Sequence, residues 1–113
     1  MAKFVFAEFL LNFLCREIFD FEWDKGNSSK SLEKHGVTKL EAEELFYCDF
    51  ILPLGKQVSP RVDEDRYGLL SKTNAGDYLF CSFTIRREKV RVISIRRMSV
   101  KEIGDYDDLR EEL

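Results

Sequence analysis

Histidine is almost missing from this 113-residue chain: His35 is the only one. With it go the paired-histidine spacings of many zinc sites, and the three cysteines supply no close pair in their place. Cys15, Cys48 and Cys81 are odd in number and lie in apolar surroundings. That pattern argues against a disulfide framework and for reduced thiols in a cytoplasmic protein. The six glycines are scattered singly, so there is no phosphate-cradling loop and no nucleotide cofactor is indicated. Long hydrophobic runs are lacking too. The run from Phe4 to Cys15 is interrupted by Glu8 and Asn12 and is too short to span a membrane. It also has a single lysine ahead of it and no small-residue cleavage site behind it, unlike a secretory signal. Metal, cofactor and membrane are therefore not expected.

An excess of positive charge is missing as well, since the formal net charge is -3. The average hides a strong asymmetry. Six cations, Arg86, Arg87, Lys89, Arg91, Arg96 and Arg97, fall within twelve positions, and residues 61–98 carry a local balance of +4. Residues 99–113 carry -4. A polyanion responds to the local field within about one Debye length, ~8 Å at physiological salt, so a rigid basic patch in an acidic chain points to an anionic partner. The competing reading is a sheet edge studded with cations that prevents edge-to-edge aggregation.

The length fits one domain, divided here into an apolar extension, residues 1–20, and a domain over residues 21–113. The extension reads as an added strand or helix covering part of the core or a partner. Phe21-Glu22-Trp23 suits a short strand, with Trp23 as a core anchor. Asp24 can cap a helix running toward Gly36, although Gly26, Asn27, Ser28, Ser29 and Ser31 are poor helix formers. Thr38 with Glu41 and Ser99 with Glu102 are capping boxes for two more helices. Pro53, Gly55 and Pro60 mark residues 49–64 as an edge strand and loop. Three strands then follow over residues 66–72, 78–86 and 89–97, the last two joined by the tight turn Arg87-Glu88. The fold class is α+β: an antiparallel sheet of about four to five strands, two N-terminal helices and a C-terminal helix.

A set of residues in this order resembles the BrnT toxins of type II toxin-antitoxin systems. They are Phe21-Glu22-Trp23-Asp24, Lys34-His35-Gly36-Val37, Glu41-Ala42, Phe46, Asp65-Arg66-Tyr67-Gly68, Val90-Arg91-Val92-Ile93-Ser94, Arg96-Arg97, Glu102 and Tyr106. The resemblance covers roughly residues 21–106. It implies a RelE-like fold and a metal-independent endoribonuclease that inhibits translation. It also implies a cognate BrnA-like ribbon-helix-helix antitoxin, operator DNA bound only through that antitoxin, and a two-plus-two heterotetramer. The chain departs from the family pattern with Ser31 in place of Asn, Arg87 in place of a turn Gly, no proline after Asp24, and an acidic last helix.

Metal-free RNA cleavage sends a 2′-OH against the adjacent phosphate, which requires proton acceptance, proton donation and stabilisation of phosphoryl charge. Arginine suits the last task through its planar, permanently charged fork. The family motif places Arg66, Arg91 and Arg96 in that role, with Lys34 and His35 as the catalytic pair beside them. Arg86, Arg97 and Thr84 are the RNA-binding candidates. His35 has a second reading, a cation closing a helix before Gly36. On a regular strand Arg91 and Arg97 share one face and Arg96 the other, so Arg91 and Arg96 can line one site only across a bulge. The alternative function is a catalytically inactive module that binds the antitoxin and acts as corepressor.

Overall fold

Eight elements follow one another: β1 (Lys3–Val5), α1 (Glu8–Leu14), α2 (Lys39–Glu44), β2 (Leu52–Ser59), β3 (Tyr67–Lys72), β4 (Tyr78–Arg86), β5 (Lys89–Arg97) and α3 (Val100–Glu111). They come from a computed structural model that describes residues 2–27 and 36–112. The five strands form one antiparallel sheet in the order β1-β2-β3-β4-β5, an α+β arrangement with three helices among the described residues.

Alternation along the strands sorts side chains onto two faces. On the first face Tyr67, Leu69, Leu79, Cys81, Phe83, Val92 and Ile95 pack with Leu10 and Phe13 of α1 and with Ala42, Leu45 and Phe46 around α2. On the second face Leu70 and Phe80 pack with Phe4, Met98 and Tyr106. The helix α3 covers only that part of the second face. Tyr106 is fully buried there and donates its hydroxyl to the Phe50 carbonyl at 2.7 Å, so it is a core residue.

The N-terminal run supplies both an added strand and an added helix. β1 pairs with Lys56, Gln57 and Ser59 of β2, and Leu10 and Phe13 of α1 are buried. β2 is consequently covered by β1 over Lys56–Ser59 and remains an edge, as expected for residues 49–64, only at its Pro53 end. Pro53 is tolerated because β1 stops short of it and because the β2–β3 register is bulged between Pro53 and Gly55. Gly55 has φ +105°, and a Cβ there would lie 1.9 Å from the Val5 carbonyl oxygen, so only glycine admits this approach of β1.

Both expected capping boxes form. The Thr38 hydroxyl accepts from the Glu41 amide, and the Glu41 carboxylate accepts from the Thr38 amide; Ser99 and Glu102 repeat the exchange at α3. The helix expected from Asp24 toward Gly36 falls largely outside the described residues, and residues 25–27 are a turn.

Arg87 and Glu88 have φ 52° and 65°, the left-handed pair that a two-residue hairpin requires. Neither is glycine or asparagine, so both are strained. Replacing Arg87→Asn together with Glu88→Gly is expected to raise stability by about 1 kcal/mol, read as a Tm increase of about 4–8 °C. An unchanged or lower Tm would mean the turn is not under strain.

Candidate functional site

The second face carries Arg66, Arg91 and Arg96 together, and a register shift in β5 is what lets the last two share it. Ser82 of β4 pairs with Ser94, but Phe83 pairs with Val92, leaving Ile93 as an extra residue. Arg91 therefore sits opposite Thr84 and Arg96 opposite Phe80. Thr84 and Phe80 are four apart on β4 and share a face, so Arg91 and Arg96 do too. Arg97 pairs with Leu79 and stands on the opposite face. Arg66 directly precedes Tyr67, whose partner Phe83 belongs to the first face, and this puts Arg66 on the second with Arg91.

Three cross-strand rows result. Thr84 and Arg91 make one, with Arg66 just beyond the end of β3 beside it, Gly68, Ser82 and Ser94 the next, and Leu70, Phe80 and Arg96 the third. A Cβ at Gly68 would lie 2.7 Å from the ring of Phe4, so a larger residue there would have to displace that ring.

The arginines differ sharply in availability. Arg91 is held by two bonds to Asp24, 2.7 and 3.0 Å, and one to Glu22 at 3.0 Å, with its side chain only 11 % exposed. These carboxylates arrive because residues 20–22 run beside β5: Val90 donates its amide to the Asp20 carbonyl and accepts from the Glu22 amide, both at 2.8 Å. Hydrogen bonds from Arg91 hold the Asp24 carboxyl below its usual range, and the same bonds raise Arg91. Arg96 stacks on the Phe80 ring at 4.2 Å and makes a two-pronged pair with Glu102, 2.7 and 3.0 Å. Arg86 contacts one Glu64 oxygen through Nε and Nη2, 3.1 and 2.8 Å, and lies 3.7 Å from Glu22.

Arg66 differs from all of these. No carboxylate pairs with it among the described residues, and its Nε is buried without a hydrogen-bond partner. It lines an open groove of about 600 Å³ with Arg61, Val62, Asp63, Glu64 and Arg86. Thr84 is buried and donates its hydroxyl to the Asp65 carbonyl at 2.7 Å, which fixes the peptide just ahead of Arg66.

The family model for BrnT, the ribonuclease toxin of type II toxin-antitoxin systems, matches residues 23–102. The chain belongs to that family. Membership makes it a toxin of a type II toxin-antitoxin system with ribonuclease activity and implies an antitoxin partner. Compared with curated proteins, the sequence matches none.

Within the BrnT span, Lys34 and His35 lie outside the described residues, so neither can be placed against the arginines. Trp23 is a core anchor, packed against the first-face cluster with its indole N–H donated to Glu43 at 2.8 Å. Sequence reasoning missed Arg61 and Glu64, and it picked out Glu22, Asp24 and Glu102 without seeing them as partners of the arginines. Glu22 and Asp24 were legible as same-face neighbours, being two apart in an extended segment. Arg61 had no periodic signal.

The Arg96–Glu102 pair gives this BrnT-family chain a measurable acid limb. Hydrogen bonds from Arg96 and the Ser99 amide hold Glu102 below its ordinary value of 4.5, against the opposing effect of burial. A carboxyl lowered in the folded state contributes stability that is complete above 4.5 and is lost as pH falls through the lowered value. Glu102→Gln should therefore cost about 1–2 kcal/mol at neutral pH and lose less than wild type on acidification. Parallel Tm curves for the two proteins from neutral to acid would contradict the assignment.

Proposed function

We propose that this chain is a metal-independent endoribonuclease acting in the cytoplasm, which inhibits translation and is neutralised by a BrnA-like ribbon-helix-helix antitoxin. RNA lies across the uncovered part of the second face, with its phosphates toward Arg66 and Arg86, while Arg91 holds the segment beside them. The observation carrying this reading is the bulge at Ile93, which places Arg91 and Arg96 on the face that bears Arg66. Without it, the family's arginine positions would be split between a buried face and an open one.

On that surface Arg66 is the residue that stabilises charge developing on the phosphoryl oxygens, because its donors are not committed to carboxylates. Lys34 and His35 supply the proton transfers, with Lys34 next to the only histidine. Arg96 orients α3 through Glu102. Arg97, on the opposite face, meets a flanking phosphate of an RNA that wraps the β5 edge. Acidic antitoxin residues cover the same arginines in the inhibited complex, assembled as a two-plus-two heterotetramer that reaches operator DNA through the antitoxin.

The inactive, corepressor reading has one observation in its favour: the forks of Arg86, Arg91 and Arg96 are already occupied by carboxylates. Expression without the antitoxin separates the two. Growth arrest with fragmented RNA, relieved by the antitoxin gene, supports the enzyme. Normal growth with retained antitoxin binding supports the module.

A further inference from the structure

We propose that Arg61, Arg66 and Arg86 form a phosphodiester subsite for single-stranded RNA, and that Glu64 is an internal competitor which occupies the Arg86 fork until a phosphate replaces it. The groove they line, about 600 Å³, is open to solvent and carries three guanidinium groups. Two observations point to an anion. The first is the Arg66 Nε, the one buried side-chain nitrogen or oxygen without a partner among the described residues. A buried donor on a cation is costly to leave unpaired, so Arg66 gains a hydrogen bond when an anion in the groove draws its guanidinium outward. The second is the geometry at Arg86. One carboxylate oxygen of Glu64 accepts from both Nε and Nη2, at 3.1 and 2.8 Å, the arrangement a phosphate oxygen adopts in a guanidinium fork.

Exposure decides which arginines can exchange partners. The Arg86 and Glu64 side chains are 46 % and 34 % exposed, so their pair is solvated, weak and screened by salt. Arg91, buried and bonded to two carboxylates, is not released so easily. Arg91 therefore anchors the segment carrying Glu22 and Asp24, whereas Arg86 trades Glu64 for substrate. Arg61 is exposed at the groove wall and has no ion pair among the described residues. The carboxylate of Glu64 then serves selectivity: it excludes weakly held monoanions and yields to a multiply contacted phosphate chain.

The inference depends on the ribonuclease reading only for the identity of the anion, and its test is independent of cleavage. The probe is a fluorescein-labelled single-stranded RNA decamer with 2′-O-methyl sugars, which has no free 2′-OH and cannot be cut. Anisotropy titrations at two salt concentrations give affinity and salt slope. Arg61→Gln and Arg86→Gln are each expected to weaken binding about tenfold and to lower the salt slope by about 0.7. Glu64→Gln should tighten binding about threefold, and the gain should vanish in the Arg86→Gln background. Asp108→Asn, the same charge change on exposed α3, controls for the overall field.

A Glu64→Gln protein that binds no better than Asp108→Asn overturns the proposal, as does an Arg61→Gln protein with wild-type affinity. Thermal unfolding of each variant confirms that a folded protein is being compared. If decaglutamate binds with this ranking and the RNA does not, the groove belongs to an acidic protein partner and the proposal fails. A protein that cleaves RNA but shows none of these rankings keeps the ribonuclease reading and loses the subsite.

Discussion

Arg66→Gln is expected to lower RNA cleavage by the purified chain at least about 100-fold while leaving its thermal unfolding nearly unchanged. The first half follows from position: Arg66 is on the open face, in the groove, with a buried Nε that has no partner. The second half follows from the same fact. A side chain that makes no ion pair among the described residues leaves no carboxylate stranded when it is shortened. Arg91→Gln should behave in the opposite way, because it leaves Glu22 and Asp24 facing each other without their shared cation. That variant should lose stability first, with activity falling as a consequence. Cleavage assays read beside melting curves distinguish the two arginines. Loss of stability in Arg66→Gln, or intact stability in Arg91→Gln, would mean that their roles are exchanged.

Phe13→Ala should cost about 3–5 kcal/mol, and Leu10→Ala about 2–5 kcal/mol. Both side chains are buried in the first-face core, with the Phe13 ring 5.7 Å from that of Phe19, which in turn contacts Phe46. A domain of this size has roughly 5–15 kcal/mol in total, so either change removes a large part of it. Deleting residues 1–20 removes both together with β1, exposing Tyr67, whose ring lies 6.1 Å from that of Phe9, and the outer side of β2. The shortened chain is expected to show no cooperative unfolding by circular dichroism. A truncated protein that melts at the wild-type temperature would make the N-terminal segment an appendage instead of part of the core.

The second half of the fold was legible because its signals are local. Strands β3, β4 and β5 begin and end within a residue of the alternating runs, and the serine and threonine boxes at α2 and α3 form as their spacing requires. The N-terminal segment was legible as an added strand or helix, but not that it makes one of each. Residues Phe4 to Cys15 are apolar on nearly every side, so neither period stands out, and Ala7 at the N-cap offers no capping side chain. The pairing of β1 with β2 is equally silent, since it depends on a backbone approach that only Gly55 permits.

The site was legible in its residue types and illegible in its geometry. Val90-Arg91-Val92 and Ile93-Ser94-Ile95-Arg96 each alternate, but the phase slips where Val92 and Ile93 stand together, and with no glycine beside it that slip did not read as a bulge. Yet the bulge decides which arginines share a face. The carboxylates that neutralise them are long-range partners: Glu22 and Asp24 are 69 and 67 residues from Arg91. A local count of cations gave residues 61–98 a positive surface, whereas the folded chain brings acids from outside that segment onto Arg91 and Arg96. What remains available at the groove is the Arg66 side, a distinction that only the partner list reveals.

On the function proposed, this face cuts RNA by transferring the phosphate to the neighbouring 2′-OH, with arginine carrying the charge that a metal would otherwise stabilise. Mass spectrometry of the fragments made from a single-stranded RNA by the purified chain in excess EDTA tests it most directly. The account predicts cleavage that persists in EDTA, disappears in Arg66→Gln, and leaves a 2′,3′-cyclic phosphate on one fragment and a 5′-hydroxyl on the other. Cleavage that requires added magnesium and yields 5′-phosphate and 3′-hydroxyl ends would contradict it.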